Sequence, residues 1–156
     1  MAQLRRTLFS LTLGLFVAAC GGSDSPTDPA DGGDGGDGGS ADTRTIKANP
    51  SFANDVVEIF VRRTCTSAGC HGGGTGGLTL TSSAATSFAN LVGVTSGNSG
   101  EVYVIANDAV NSYLVKKLEG TQGSGNGNRM PSGGAVLDNI DITNIKNWIN
   151  TGAGNN

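Results

Sequence analysis

The pattern of apolar and polar positions predicts three amphipathic helices, over SFANDVVEIFVRRTC, NSYLVKKLEG and DITNIKNWINTGAG. In each stretch, apolar side chains recur three or four positions apart, which places them on one face of a helix. The predicted faces are, in chain order, Phe52, Val56, Val57, Ile59 and Phe60; Tyr113, Leu114 and Leu118; and Ile142, Ile145, Trp148 and Ile149. A shorter helix is predicted around Ala84 to Leu91.

Residues that favour helix ends flank these stretches. The predicted N-caps are Ser51, then Asn111 or Ser112, and finally Asp141. Gly120 and Gly152 are predicted to stop the second and third helices, because glycine adopts the left-handed conformation that ends many helices. Long glycine-rich loops lie between the helices, and only GEVYVIAND alternates briefly like a strand. The pattern predicts a small all-α domain whose loops are long enough to wrap something.

The N-terminal stretch MAQLRRTLFSLTLGLFVAAC has the composition of a secretory signal. Two arginines precede an apolar run that is too short to span a bilayer as a mature helix. The ending VAAC resembles the lipobox of bacterial lipoproteins, which implies cleavage before Cys20 and acylation of that cysteine. Residues 1–19 are therefore interpreted as a lipoprotein signal peptide.

Residues 20–50 are interpreted as a lipid-anchored flexible tether, and residues 51–156 as the folded domain. The tether contains mostly glycine, aspartate, serine and proline, which cannot bury enough surface to offset the entropy of ordering. A lipoprotein with this signal is expected in the cell envelope of a Gram-negative bacterium, on the periplasmic face or the surface of the outer membrane. Gly21 after the lipid cysteine resembles the pattern of outer-membrane lipoproteins.

The charge of the chain is concentrated in the predicted tether. Six of the thirteen acidic residues lie there, whereas residues 50–156 hold seven acids and six bases and are close to neutral. No basic patch suggests nucleic acid as a partner. A small, glycine-rich domain with few aromatic residues has a thin core, so something beyond side chains is expected to fill its centre.

The stretch RRTCTSAGCHGG carries Cys65, Cys70 and the chain's only histidine, His71, and three kinds of site fit it. Haem c is attached by two cysteines and ligated by the histidine after the second. The usual spacing is C-x-x-C-H, whereas four small residues separate the cysteines here. A disulfide across the loop suits an oxidising compartment. Zinc is the weakest alternative, because a structural site needs four ligands and the mature chain offers three.

Met130 is the candidate for a second axial ligand of a haem iron. It is the one methionine left after signal removal, and it lies in GNRMPSGG, directly before Pro131. Methionine ligation raises the reduction potential and closes the iron to exchange. The alternative is a methionine that fills a gap in the core. Such a residue usually lies within a periodic element, however, and Met130 lies in a glycine-rich loop.

In their order along the chain, these motifs resemble the monohaem class I cytochrome c domains of bacteria, especially the branch with a widened cysteine spacing. The likeness rests on the C-x4-C-H-G stretch, GGLTL, NSYLVKKLEG, RMP and ITNIKNWINTGA, and it covers roughly residues 52–154. It implies a helical domain whose first and last helices cross near one covalent haem c. It also implies that Cys65 and Cys70 form the thioethers, His71 is the proximal ligand and Met130 the distal one.

Several apolar residues are expected to pack around such a haem: Phe52, Phe60, Leu78, Leu80, Leu91, Tyr113, Leu114, Leu118, Leu137, Ile145 and Trp148. The expected function is electron transfer rather than catalysis, with redox proteins of the cell envelope as partners and the membrane reached through the lipid. No Ser-His-Asp set, carboxylate pair or phosphate-binding loop indicates an enzyme. Two alternatives are a haem-free, disulfide-stapled binding module and a haem-based ligand sensor.

Overall fold

Four α-helices and their connections make up the part of the chain that the computed structural model describes, residues 43–156. A π-helical turn, Phe52–Val56, leads into α1 (Val57–Arg62), and α2 (Ala84–Leu91), α3 (Tyr113–Glu119) and α4 (Asn139–Asn150) follow. Two short 3-10 turns, His71–Gly73 and Thr75–Gly77, come between α1 and α2. The stretch that alternates briefly forms isolated bridges and no sheet or barrel within this range. The predicted all-α class is confirmed.

The predicted signal peptide, Cys20 and residues 20–42 of the predicted tether lie outside the described residues. Within residues 43–156, no helix has the length and apolar character needed to cross a membrane. The described residues belong to one compact unit.

The start and end of the first helix follow from local capping. Ser51 is the N-cap, as predicted, and its Oγ accepts a hydrogen bond from the backbone N–H of Asn54 at 3.2 Å. After α1, the N–H of Cys65 donates to the Phe60 carbonyl at 2.8 Å. Thr64 between them has a positive φ of 57°, so the chain reverses direction in a Schellman-type turn. This turn places Cys65 immediately beyond the helix end.

The N-termini of α3 and α4 are capped differently from prediction. Ser112 is the N-cap residue of α3, but its Oγ donates to the Asp108 carbonyl at 2.7 Å and does not cap the helix. Asp141 was wrongly predicted as the N-cap of α4. Asp138 is the N-cap, and its carboxylate accepts a hydrogen bond from the N–H of Asp141 at 2.9 Å. Gly120, with φ of 80°, ends α3 as predicted.

The core forms where the first helical segment meets α4. The rings of Phe52 and Trp148 lie 4.7 Å apart, and Phe52 also contacts Phe88 edge-on at 5.4 Å. The indole N–H of Trp148 donates to the Gly154 carbonyl at 2.9 Å, so its polar atom is satisfied although the ring is buried. The packed face of α4 is the predicted one, with Ile145 and Ile149 also fully buried.

A cluster of three arginines and two aspartates joins the end of α1 to the start of α4. We call it the arginine–aspartate cluster, and it consists of Arg44, Arg62, Arg63, Asp138 and Asp141. The Asp141 carboxylate is 1% exposed and accepts hydrogen bonds of 2.7 Å from each of the three guanidinium groups. Arg44 and Arg63 also contact Asp138. Asp141 lies within the first turn of α4, where its buried carboxylate binds Arg62 and Arg63.

The charges of the cluster shift the pKa values of both aspartates. Burial acts to raise the pKa of Asp141, but hydrogen bonds from Arg62 and Arg63 outweigh it, and the pKa lies below 3.8. Burial likewise opposes ionisation of Asp138, whereas the N–H of Asp141 and the guanidinium of Arg44 hold its pKa below 3.8. Both carboxylates are therefore ionised at neutral pH.

The last residues of the predicted tether lie along α4. The N–H of Lys47 donates to the Asn144 side-chain oxygen at 2.8 Å, and the Asn144 amide donates back to the Thr45 carbonyl at 3.0 Å. Asn147 donates to the Lys47 carbonyl at 2.7 Å. Together with Arg44, these bonds fix residues 44–47 to the last helix.

We predict that Asp141→Asn lowers the free energy of unfolding by about 3 kcal/mol, because it leaves the guanidinium groups of Arg44, Arg62 and Arg63 facing a neutral amide in a buried site. The arginines remain about a quarter to a third exposed, which keeps the loss at the low end for a broken buried ion pair. Denaturant unfolding measures this loss in the free energy of unfolding. Glu58→Gln, which removes only the exposed partner of Arg62, is the control and is expected to cost less than about 1 kcal/mol. Equal losses in the two variants would contradict the prediction.

We also predict a loss of stability in acid that depends on the cluster. Because the folded-state pKa values of Asp138 and Asp141 lie below 3.8, the stability they contribute is present above that pH. It is lost as the pH falls through 3.8 toward the folded values, where the folded state also takes up the protons. Thermal unfolding at about pH 6 and about pH 3 measures this loss, and Asp141→Asn is expected to show a smaller pH dependence than the wild type. An unchanged dependence in the variant would contradict the assignment.

Candidate functional site

A cavity of about 930 Å³ lies between the cysteine–histidine stretch, α3 and the glycine-rich loop that follows α3. Its volume is near the top of the range of about 300–1,000 Å³ that is typical of ligand and cofactor pockets. Cys65, Cys70, His71 and Met130, the residues predicted to attach and ligate a haem, all line this cavity. Two segments that are distant in sequence therefore meet at one site.

Apolar side chains form much of the cavity wall. They are Phe60, Leu78, Leu80, Tyr103, Tyr113, Leu114 and Leu118. All except Tyr103 were expected to pack around a haem. Four other residues expected there are buried in the core but do not line the cavity, namely Phe52, Leu91, Ile145 and Trp148. Leu137 packs against that core and is partly buried.

The rest of the cavity lining is polar but almost uncharged. It includes Ser96, Asn98, Asn126, Asn128 and Ser132, together with several glycines. Arg63 and Lys117 are the charged side chains among the lining residues that the structure describes. Arg63 is bound to Asp138 and Asp141, and the Lys117 ammonium is bound to backbone carbonyls.

The two cysteines are free thiols with different surroundings. Cys65 is partly buried, packs against the core and directly follows the turn that ends α1. Burial raises the pKa of the Cys65 thiol, so this sulfur is protonated at neutral pH. Cys70 is exposed. Both sulfurs are thus available for covalent attachment.

The imidazole of His71 is oriented by two backbone carbonyls. Its Nδ1 lies 2.9 Å from the Thr75 oxygen and 3.3 Å from the Leu78 oxygen. Since a carbonyl can only accept, Nδ1 is the donor in these contacts, which leaves Nε2 as the ring atom that could bind a metal. A histidine that binds a metal usually donates its other N–H in this way, which fixes the ring. The left-handed Gly74, with φ of 78°, turns the chain so that these carbonyls return toward the ring.

Met130 lies on a loop that α3 holds in place, and we call residues 121–134 the methionine loop. The N–H of Met130 donates to the backbone carbonyl of Lys117 at 2.8 Å. The ammonium of the same lysine donates to the carbonyls of Asn126, at 2.9 Å, and Asn128. Burial lowers the pKa of Lys117. One lysine therefore fixes three points of the loop through its backbone and its side chain.

The residues around the cavity fit a haem c. Two free thiols, a histidine with an available Nε2 and a thioether line one largely apolar cavity, which is the donor set that such a group requires. Among residues 43–156, no group of three or more His, Cys, Asp or Glu side chains comes close enough to hold a metal ion.

No family model, curated protein or solved structure matches this chain. The site is therefore interpreted from its own residues. Sequence reasoning missed Tyr103 as a wall residue, because it lies in an irregular connection without periodicity. It also missed the role of Lys117, whose position on α3 follows the helix pattern and gives no sign of its loop contacts.

We predict that Lys117→Gln loosens the methionine loop, because glutamine is shorter and cannot supply a charged donor to the Asn126 and Asn128 carbonyls. Charged hydrogen bonds are each worth about 1.5–3 kcal/mol when buried. Lys117 is partly exposed, so amide hydrogen exchange in the loop is expected to accelerate by about fivefold to tenfold. Lys116→Gln is the matched control, since its neighbouring ammonium contacts Glu101 and not the loop. Equal exchange in both variants would contradict this role.

Proposed function

We propose that this protein is an electron-transfer protein, a membrane-tethered monohaem c-type cytochrome and not an enzyme. In this proposal, residues 51–156 are a class I-type cytochrome c domain whose long loops surround one covalent haem c. The observation that carries it is the shared cavity. Cys65, Cys70, His71 and Met130 line one apolar space, and the histidine ring is oriented as a metal ligand.

Each residue of the site has a defined part in this proposal. Cys65 and Cys70 hold the haem covalently. His71 supplies Nε2 as the proximal ligand, with its ring held by the Thr75 carbonyl. Met130 supplies the distal ligand, and α3 holds its loop. When bound, the haem supplies one-electron redox chemistry. The apolar wall excludes water, which limits rearrangement between the two charge states.

The proposal places the protein in the cell envelope of a Gram-negative bacterium. Acylation of Cys20 after removal of residues 1–19 anchors it, on the periplasmic face or the surface of the outer membrane. Several acyl chains give firm anchoring, since each buried methylene contributes about 0.8 kcal/mol. The part of the predicted tether that precedes residue 44 then keeps the domain at high effective concentration near redox partner proteins of the envelope.

The first test is to produce the chain without its lipid signal, together with a c-type cytochrome maturation system. We predict colour that stays with the polypeptide after acid-acetone extraction. The oxidised protein is expected to show a sulfur-to-iron band that Met130→Ala abolishes. The variant is also expected to have a lower reduction potential, because it loses the thioether ligand. Visible spectra measure the sulfur-to-iron band, and redox titration measures the reduction potential.

Two outcomes would overturn parts of this proposal. A colourless wild-type protein under competent maturation would favour the disulfide-stapled binding module without haem. A coloured wild-type protein that binds carbon monoxide in its reduced form would favour the haem-based ligand sensor. The electron-transfer proposal expects binding in Met130→Ala and none in the wild type, because methionine closes the iron to exchange.

A further inference from the structure

The segment between the two cysteines is folded back on itself by backbone hydrogen bonds. The N–H of Cys70 donates to the Ser67 carbonyl at 2.9 Å, and the N–H of His71 donates to the Cys65 carbonyl at 3.0 Å. The N–H of Gly72 also donates to the Ser67 carbonyl, at 3.0 Å. These bonds draw residues 65–72 into one compact turn that carries both cysteines and the histidine.

Two glycines after the histidine occupy the space beside this turn. A Cβ atom on Gly72 would lie 2.1 Å from the Thr66 carbonyl oxygen and 2.8 Å from that of Ser67. A Cβ atom on Gly73 would lie 2.2 Å from the Ala68 oxygen. These distances are shorter than real Cβ contacts allow, and backbone atoms cannot rotate away as a flexible side chain could. Any side chain at position 72 or 73 therefore displaces the turn.

Space, and not backbone conformation, requires glycine at these two positions. Neither Gly72 nor Gly73 has the positive φ that disfavours other residues. The reverse holds for Gly76 and Gly77, whose φ values are 70° and 76° and whose Cβ positions are open. Gly69, between the cysteines, has neither constraint, since its φ is ordinary and nothing lies within 4 Å of a Cβ. It therefore offers a matched control.

We propose that Gly72 and Gly73 are positioning residues for haem attachment, because they leave room for the widened cysteine loop. The carbonyls that they accommodate belong to Thr66, Ser67 and Ala68, all within the four-residue spacing. The determinant that makes this spacing workable thus lies after the C-x4-C-H motif and not inside it. The inference rests on the proposed function, since it concerns attachment of the haem.

The chemistry of attachment explains why position matters. Each cysteine S–H adds across a vinyl C=C bond of the haem, with sulfur bonding to the carbon next to the ring and hydrogen to the terminal carbon. No oxidant is consumed. Because the two vinyl groups are fixed on one rigid ring, both sulfurs must reach their positions together. Displacing Cys70 relative to Cys65 therefore prevents one thioether or both.

The test compares Gly72→Ala and Gly73→Ala with Gly69→Ala in the chain co-expressed with the maturation system. Covalent haem per chain is measured from the pyridine haemochromogen spectrum, which also distinguishes one thioether from two. Free thiols are counted by alkylation and mass spectrometry. Gly69→Ala is expected to equal the wild type. Gly72→Ala and Gly73→Ala are each expected to reduce the doubly attached fraction by at least about tenfold, with a free thiol in the remaining chains.

A rescue separates positioning from a general failure to fold. Deleting Ser67 and Ala68 leaves two residues between the cysteines and removes two of the three carbonyls that crowd positions 72 and 73. The deletion removes the Ala68 carbonyl that crowds position 73, whereas the Thr66 carbonyl beside position 72 remains. In this shortened chain, Gly73→Ala is therefore expected to carry as much doubly attached haem as its glycine parent. A merely structural need for glycine at position 73 would persist in the shortened chain.

The outcomes distinguish this inference from the proposed function. Full attachment in Gly72→Ala, a loss in Gly69→Ala as large as that in Gly72→Ala, or failure of the rescue would each overturn the inference while the cytochrome proposal stands. A wild-type chain that takes up no haem would overturn the proposed function itself. Loss in Gly72→Ala and Gly73→Ala, with rescue of Gly73→Ala by the shortened loop, supports both.

Discussion

The buried carboxylate of Asp141 is the constraint on which the geometry of the site depends. It attracts Arg62 and Arg63, the last residues before the turn that leads to Cys65, and so fixes the end of α1 against the start of α4. Arg63 also lines the cavity. Removing a charge from water is expensive, and the multiple guanidinium contacts offset that cost here. One ionic cluster thus holds the end of α1 against the start of α4, next to the turn that leads to Cys65.

The helices could be predicted because their determinants are local. Periodicity defined the buried faces, and Ser51 and Gly120 act at helix ends through bonds to neighbouring residues. The start of α4 was wrong for a physical reason. Asp138 and Asp141 are both plausible caps in sequence, and the choice depends on arginines about 80 residues earlier in the chain. Local patterns carry no information about such a partner.

At the site, too, local features could be predicted from the sequence and long-range contacts could not. Cys65, Cys70 and His71 are adjacent in sequence, so their spacing alone predicted a common site, and the lone remaining methionine supplied the fourth candidate. The structure brings all four to one cavity. Phe52 and Trp148 pack against each other and do not line the cavity. The apolar wall residues of the cavity belong to the same core cluster, which therefore forms one side of the site.

The nearly uncharged lining of the cavity has a consequence for how a redox partner is found. Its two charged lining residues, Arg63 and Lys117, are occupied by contacts within the protein. Long-range charge attraction accelerates many encounters between redox proteins, and that acceleration falls with salt. For the proposed electron carrier, the residues that line the site contribute little such attraction. Anchoring in the same envelope compartment as the partner then has the larger part in bringing the two proteins together.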